Sequence, residues 1–262
     1  MFQRLGGRRI AVVELQGVLG ATVRAGAYHH LLERLERNPR VGCVVLDIDS
    51  PGGFVSASEA LYRKVARLRE KKPVIAFIRG VGASGSYLVA CAASRIVAQP
   101  SAIVGSIGVI SLRPVVAELM ERLGVGVSVS KSGPLKDMGA FYREPTAEEQ
   151  AKVQGLVDDL FQMMVDMVAQ SRHMDVDQVR GYATGEVFTG RKGKELGLVD
   201  ELGDFDAALD AAASLGKMPR RVIYVRPPRP ARIRLLERFL GLALEAAWED
   251  VQAPAWQRLW YL

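Results

Sequence analysis

Apolar residues recur along the first half of the chain in short runs, several of them apolar throughout rather than alternating. They are RIAVVEL (Arg9 to Leu15), GCVVLDI (Gly42 to Ile48), PVIAFI (Pro73 to Ile78), RIVAQ (Arg95 to Gln99) and GVSVSK (Gly126 to Lys131). Runs of this kind predict strands covered on both faces. Between most of them the apolar positions take helical spacing, in AGAYHHLLERLERN, SASEALYRKVARLREK, ASGSYLVACAA and RPVVAELMERLG. Strand and helix in alternation predict an α/β domain whose sheet is mostly parallel and built from crossover units.

After Pro145 the pattern turns helical. TAEEQAKVQGLVDDLFQMMVDMVAQSR opens with a capping-box signature, Thr146 followed by Glu149, and carries an apolar stripe through Val153, Leu156, Leu160, Met163, Met164 and Met167. Its methionines read as core or interface filler. Two shorter helices, DVDQVRGYA and DFDAALDAAASLG, follow. From Lys217 the chain becomes a basic, proline-punctuated strand and linker, PRRVIYVRPPRPAR, and then the helical pattern IRLLERFLGLALEAAWEDVQ. The simplest division is a main domain over 1–216 and an appendage over 217–262.

Composition bounds the function. With 262 residues, 49% hydrophobic and 24% charged, the chain has the make-up of a globular α/β protein with a sizeable core. Its net charge of +6 is a property of the tail: residues 217–238 hold eight Lys or Arg against one Glu, and the remainder is close to neutral. No nucleic-acid partner is expected. Cys43 and Cys91 both sit in apolar runs and read as buried thiols. No run reaches the 18 or so apolar residues of a membrane span and the N-terminus lacks a signal-peptide core, so the expected location is cytoplasmic or peripheral to a membrane.

The chemistry gathers around GVGASGSYLVACAA, where Ser84 stands among glycines as a strand pattern gives way to a helix. Glycines there permit unusual backbone conformations and close approach of a substrate. A serine nucleophile needs a base and an oxyanion hole. Of three histidines, His29, His30 and His173, none lies between residues 31 and 172, and each reads as structural or surface. The alternative base is a lysine made neutral by an apolar setting. Lys136, in KSGPLKDMGAFYREP between Leu135 and Met138, is the candidate by context, although the segment alone reads better as a solvated loop. In an extended segment Asp137 would point to the opposite side. A second glycine loop, DIDSPGGFVSASEA, offers N–H groups from Gly52 and Gly53, with Gly85 next to the serine supplying the other half of the hole. Ser56, three residues before Glu59, reads as a helix cap.

Taken in order, DSPGG, GASGSY, VGSIGVI and SGPLKDMG resemble the signature segments of the signal peptide peptidase A family, serine peptidase family S49 of clan SK. GEVFTGRKGKELGLVDELGD (Gly185 to Asp204) matches the family's late segment, so the resemblance runs from about Arg9 to Gly216. It implies a ClpP/crotonase-like fold of repeated strand–helix units, followed by a helical region and the basic C-terminal tail. It implies Ser84 as nucleophile, Lys136 as general base, Ser106 as hydrogen-bond partner of the lysine amine, and Gly53 and Gly85 as oxyanion hole, with no metal or cofactor. It further implies hydrophobic, extended peptide substrates such as remnant signal peptides or membrane-protein segments. Assembly as a homo-oligomeric ring, in which serine and lysine meet across a subunit boundary, belongs to the same resemblance. Two departures stand out: Ser86 replaces a customary glycine and is expected to narrow the cleft, and the customary N-terminal membrane anchor is not seen.

Rival readings of the same fold are separable. A ClpP-like enzyme would want a histidine soon after the serine; a crotonase-type acyl-CoA enzyme would leave Ser84, Ser106 and Lys136 together unexplained. A non-catalytic scaffold at a membrane surface is opposed by the intact Ser/Lys pair. The C-terminal pattern over Arg232 to Gln252 is amphipathic, with Ile233, Leu236, Phe239 and Leu240 among its apolar face, and suits either packing on protein or a lipid headgroup layer.

Overall fold

The structure is a computed structural model that describes residues 7–227; the amphipathic segment expected over Arg232 to Gln252 lies outside the described residues. The elements run β1 (Arg9–Gln16), α1 (Ala25–Arg37), β2 (Val41–Ser50), α2 (Val55–Arg69), β3 (Val74–Ala83), α3 (Gly85–Cys91), β4 (Arg95–Ala98) and β5 (Ile103–Gly105). There follow α4 (Ala117–Arg122), α5 (Ala147–Arg172), α6 (Val176–Tyr182), β6 (Val187–Thr189), α7 (Gly190–Glu195), β7 (Glu201–Leu202), α8 (Phe205–Gly216) and β8 (Val222–Tyr224). One sheet takes all the strands in the order β6-β5-β3-β2-β1-β8, with β4 and β7 branching from β3. Every pairing is parallel except β5 with β6.

The continuous apolar runs are explained by two covered faces. Alternate residues of one strand point to opposite sides. Val44, Leu46 and Ile48 of β2 thus join Val74, Ala76 and Ile78 of β3 in a core shared with α1, α2, α3 and α5. Cys43 and Val45 instead meet Ile75 and Phe77 in a second core closed by Ala208, Leu209 and Ala212 of α8. Each fully buried aliphatic or Phe side chain contributes about 1.5–3 kcal/mol of transfer free energy, so both faces drive the sheet together. Burial also pushes both thiols up to about 12, which leaves Cys43 and Cys91 as inert packing groups.

Two sequence expectations are corrected. Gly126–Lys131 forms no strand: Val125, Val127 and Val129 keep a period of two, but no described segment pairs with them in a ladder. A lone strand leaves its backbone donors and acceptors unmatched, so pattern alone does not make one. The helix in RPVVAELMERLG contracts to α4, and none of its residues is buried. At the other end, Val222–Tyr224 pairs in parallel with Ile10–Val12, so the boundary drawn at 216/217 falls before a strand of the main sheet. The compact unit extends to Arg226. Among the described residues no helix is long and apolar enough to cross a membrane.

Because β8 covers the outer edge of β1 and Met218 packs against Gly42 and Gly216, a chain ending at Gly216 will unfold at lower denaturant than one ending at Arg226. Equal midpoints in urea would show that β8 adds nothing to the domain.

Candidate active site

The site begins with a register shift. Ile48 of β2 pairs with Ile78, but Ser50 pairs with Gly82, so β3 spends two extra residues in a bulge. Asp49 accepts a hydrogen bond from Val81 N–H at 3.0 Å, and Arg79 reaches back to the buried carboxylate of Asp47, which fixes the bulge. Bulges re-aim the strand that carries them. Here β3 is delivered to a sharp turn at Ser84, whose φ of 53° and ψ of −126° fall in a region that non-glycine residues avoid. Such a conformation costs about 1–3 kcal/mol and persists only where neighbours over-determine it. Ser84 N–H donates to Gly105 O at 2.8 Å, and its carbonyl accepts from Leu88 N–H at 3.0 Å in the first turn of α3.

Ser106 stands beside it for the same reason. Ala83 and Gly105 are paired on parallel strands, so Ser84 and Ser106 are the next residues off neighbouring strand ends, and Ser106 also has a positive φ, 49°. Its N–H donates to Glu186 O at 2.7 Å.

The SPGG loop closes over Ser84 from the β2 side. Leu19 clamps it, donating to Gly52 O at 2.8 Å and accepting from Phe54 N–H at 3.0 Å. Glycine is obligatory at Gly53, where a Cβ would stand 2.2 Å from Leu19 O, and at Gly85, where it would stand 2.0 Å from Ser58 Oγ. That same point beside Gly85 lies 3.7 Å from Gly53 N, so the two amides share one pocket. Among the described residues neither Gly53 N–H nor Gly85 N–H has a hydrogen-bond acceptor. Two donors without protein acceptors, the exposed Gly53 N–H and the buried Gly85 N–H, thus lie beside a strained serine, an arrangement suited to receiving an anionic oxygen.

Gly53, Ser84 and Gly85 floor a cleft whose wall is Leu88 of α3 with Leu160, Met163 and Met164 of α5. Its volume is about 20 Å³, room for about one water molecule. The methionines assigned to filler therefore also line the Ser84 cleft, a role that helical spacing does not distinguish from core. None of the three histidines lines this cleft.

Lys136 does not line it either. It is exposed on a turn, its N–H bonded to Gly133 O, and no hydrogen bond joins it to Ser84 or Ser106. Its neighbour Asp137 is fully engaged elsewhere, accepting from Lys131 at 2.8 Å, Arg143 Nε at 3.0 Å and Tyr142 at 3.2 Å. The Arg143 guanidinium, with Lys131, holds the Asp137 carboxyl well below the usual carboxylate range. Arg143 also forms a fork on Glu149, whose carboxyl it pulls down to about 2 and which closes the capping box with Thr146. This chain of ion pairs ties the Lys136 loop to the start of α5.

Two further expectations change. The α2 N-cap is Phe54, with no side-chain cap, so Ser56 lies inside the helix and Glu59 pairs with Arg63 instead. Ser86 does not narrow the cleft: it is 1% exposed, with its hydroxyl turned inward to the carbonyls of Ser50 and Ala83.

The chain is similar to known proteins over most of its length. The family model Peptidase family S49 matches residues 66–218. A protein of Synechocystis sp. is 34% identical over 266 residues, covering 97% of this chain and 95% of its own length. A protein of Methanocaldococcus jannaschii is 39% identical over 191 residues, covering 73% of this chain. Serine protease SPPA, chloroplastic, of Arabidopsis thaliana is 31% identical over 234 residues, covering 87% of this chain. The chain spans 61% of the length of the second relative and 34% of the third. Among solved structures, the 1510-N membrane-bound stomatin-specific protease in complex with a substrate peptide superposes with a TM-score of 0.54 at 15% identity, covering 90% of this chain and 99% of its own. That likeness establishes the fold as the ClpP-like one of such peptidases. With more than half the chain matched by the family model and a relative similar over nearly its whole length, the protein belongs to peptidase family S49, the signal peptide peptidase A family of serine peptidases.

Proposed function

We propose that the protein cleaves extended, hydrophobic peptides through an acyl-enzyme on Ser84, with Lys136 as base, Ser106 orienting the lysine amine, and Gly53 and Gly85 binding the oxyanion. The observation that carries this reading is the strained turn at Ser84, facing two N–H groups without acceptors. In the first half-reaction Ser84 Oγ bonds to the scissile carbonyl carbon and its proton passes to the neutral Lys136 amine. The carbonyl oxygen, now an anion, lies against the two glycine N–H groups. Collapse breaks the C–N bond, the departing amine takes the proton from the Lys136 ammonium, and the acyl group stays as an ester on Ser84. Water, deprotonated by the same amine, then attacks the ester and releases the acid and the free serine. The apolar wall of Leu88, Leu160 and Met163 favours apolar side chains next to the scissile bond.

We further propose that the dyad is completed across a subunit boundary in a closed homo-oligomeric ring. Two features support this. Lys136 stands outside its own chain's Ser84 cleft, and the segment that carries it presents Ile110 (79% exposed), Leu112 (86%), Leu119 and Leu123 to solvent. Four large apolar side chains left this exposed within one segment favour a contact with another chain. Remnant signal peptides and membrane-protein segments are the substrate class that fits an enclosed site taking only extended chains. The basic, amphipathic C-terminal sequence favours peripheral contact with an anionic membrane surface.

Two predictions follow from the dyad. A serine-directed acylating probe will label the wild-type protein and not Ser84→Ala, while Lys136→Ala and Lys136→Arg, since arginine cannot give up its proton, will acylate about 10²–10⁴-fold more slowly with the fold retained. Wild-type labelling of Lys136→Ala would end the dyad assignment. When the inactive Ser84→Ala and Lys136→Ala proteins are dissociated, mixed and reassembled, activity will return to about one quarter of wild type, because each boundary needs both partners intact. Mixed particles that stay inactive would place both residues of the dyad in one chain.

A further inference from the structure

We propose that two buried hydroxyls beneath the cleft, those of Ser86 and Ser50, are positioning residues that hold the Gly53 donor in place against the Ser84 turn; this rests on the oxyanion assignment above. Ser50 is 0% exposed and Ser86 1%. Ser86 Oγ lies 2.6 Å from Ser50 O and 2.8 Å from Ala83 O, so its one proton is shared between the last residue of β2 and the residue before the nucleophile. Ser50 Oγ in turn accepts from Gly52 N–H at 3.2 Å. The result is a relay from the nucleophile turn to the SPGG loop: Ala83 carbonyl, Ser86 hydroxyl, Ser50 residue, Gly52 amide, and then Gly53.

The relay matters because little else joins these two segments. Past the pairing of Ser50 with Gly82, no backbone hydrogen bond links Pro51–Phe54 to Ala83–Ser86 among the described residues. Leu19 clamps the outer side of the loop; the hydroxyl pair secures the inner side. Gly52 is packed so closely that a Cβ there would stand 2.8 Å from Gly85 N and 3.0 Å from Ser84 Cβ. A loop displaced by a fraction of an ångström would carry the Gly53 N–H out of line with the Gly85 N–H. An oxyanion hole stabilises the transition state only when its donors are already aimed. A residue without this hydroxyl could not supply the tether.

The test uses the full chain with Ser86→Ala and Ser50→Ala, a chromogenic peptide substrate, and a peptide boronic acid of the same sequence that adds to the serine as a tetrahedral mimic. Each variant is expected to lose about tenfold or more in kcat and, in parallel, in boronate affinity, with KM shifted less than about twofold, since only the transition-state contact is loosened. A loss shared equally by KM, unchanged kcat and boronate affinity in both variants, or failure of both to fold would overturn the positioning role. Should one variant fail to fold, the other decides the matter from the opposite end of the relay. A wild-type enzyme that cleaves the substrate but ignores the boronate would instead refute the Ser84 nucleophile, so the two failures are distinguishable.

Discussion

Ser84 is held at a combination of φ and ψ that an L-residue adopts only under compulsion, and the rest of the site is arranged around that compulsion. The strand before it is lengthened by a bulge pinned through Asp49 and Asp47; the strand beside it supplies the Gly105 carbonyl; the helix after it starts at once, using the serine's own carbonyl. The reversal brings Ala83 O and Gly85 N against Gly52, and Ser58 of α2 packs against Gly85, so a side chain at either position would collide. The same tightness leaves the Gly53 and Gly85 amides facing a small pocket without acceptors. The strain is thus one cause with two results: an accessible hydroxyl and two unspent donors next to it.

The lysine arm obeys a different logic. From Val109 to Pro145 the chain buries little, yet its apolar residues are spaced as strand and helix. Its one strong internal anchor is the run of ion pairs Lys131, Asp137, Arg143 and Glu149, which ties the loop to α5 and keeps the Asp137 carboxylate on other cations. Lys136 is left with a neighbour already neutralised. Such an arm has the composition of a contact surface, and its unpaired strand pattern has the form of an edge awaiting a partner.

How much of this was legible in the sequence depended on whether the determining force was local. Strands β1 to β4 were readable because both faces are covered and their central residues are almost all apolar. The α5 start was readable because Thr146 and Glu149 cap each other within one turn. That Gly53, Ser84 and Gly85 lie in one cleft was only weakly signalled by the two glycine loops and came mainly from the family resemblance. By contrast, β5, β6 and β7 span two or three residues each, too short to carry a period, and exist only because longer strands recruit them. Ser56 and Glu59 matched a cap but Ser56 lies two residues past the actual N-cap, because the Leu19 clamp sets where α2 begins. Ser86 was misjudged because sequence gives a residue's size and not the direction of its hydroxyl. Gly126–Lys131 looked like a strand since pattern reports what a segment would do with a partner, and not whether one chain provides it.

The most direct test of the account is an experimental structure of the assembled protein with a peptide boronate bonded to Ser84. The account predicts one boronate oxygen within hydrogen-bond reach of both Gly53 N and Gly85 N, and a Lys136 amine from a neighbouring copy against Ser84 Oγ. A boronate oxygen turned away from the two glycines, or a Lys136 still in solvent with the adduct formed, would contradict it.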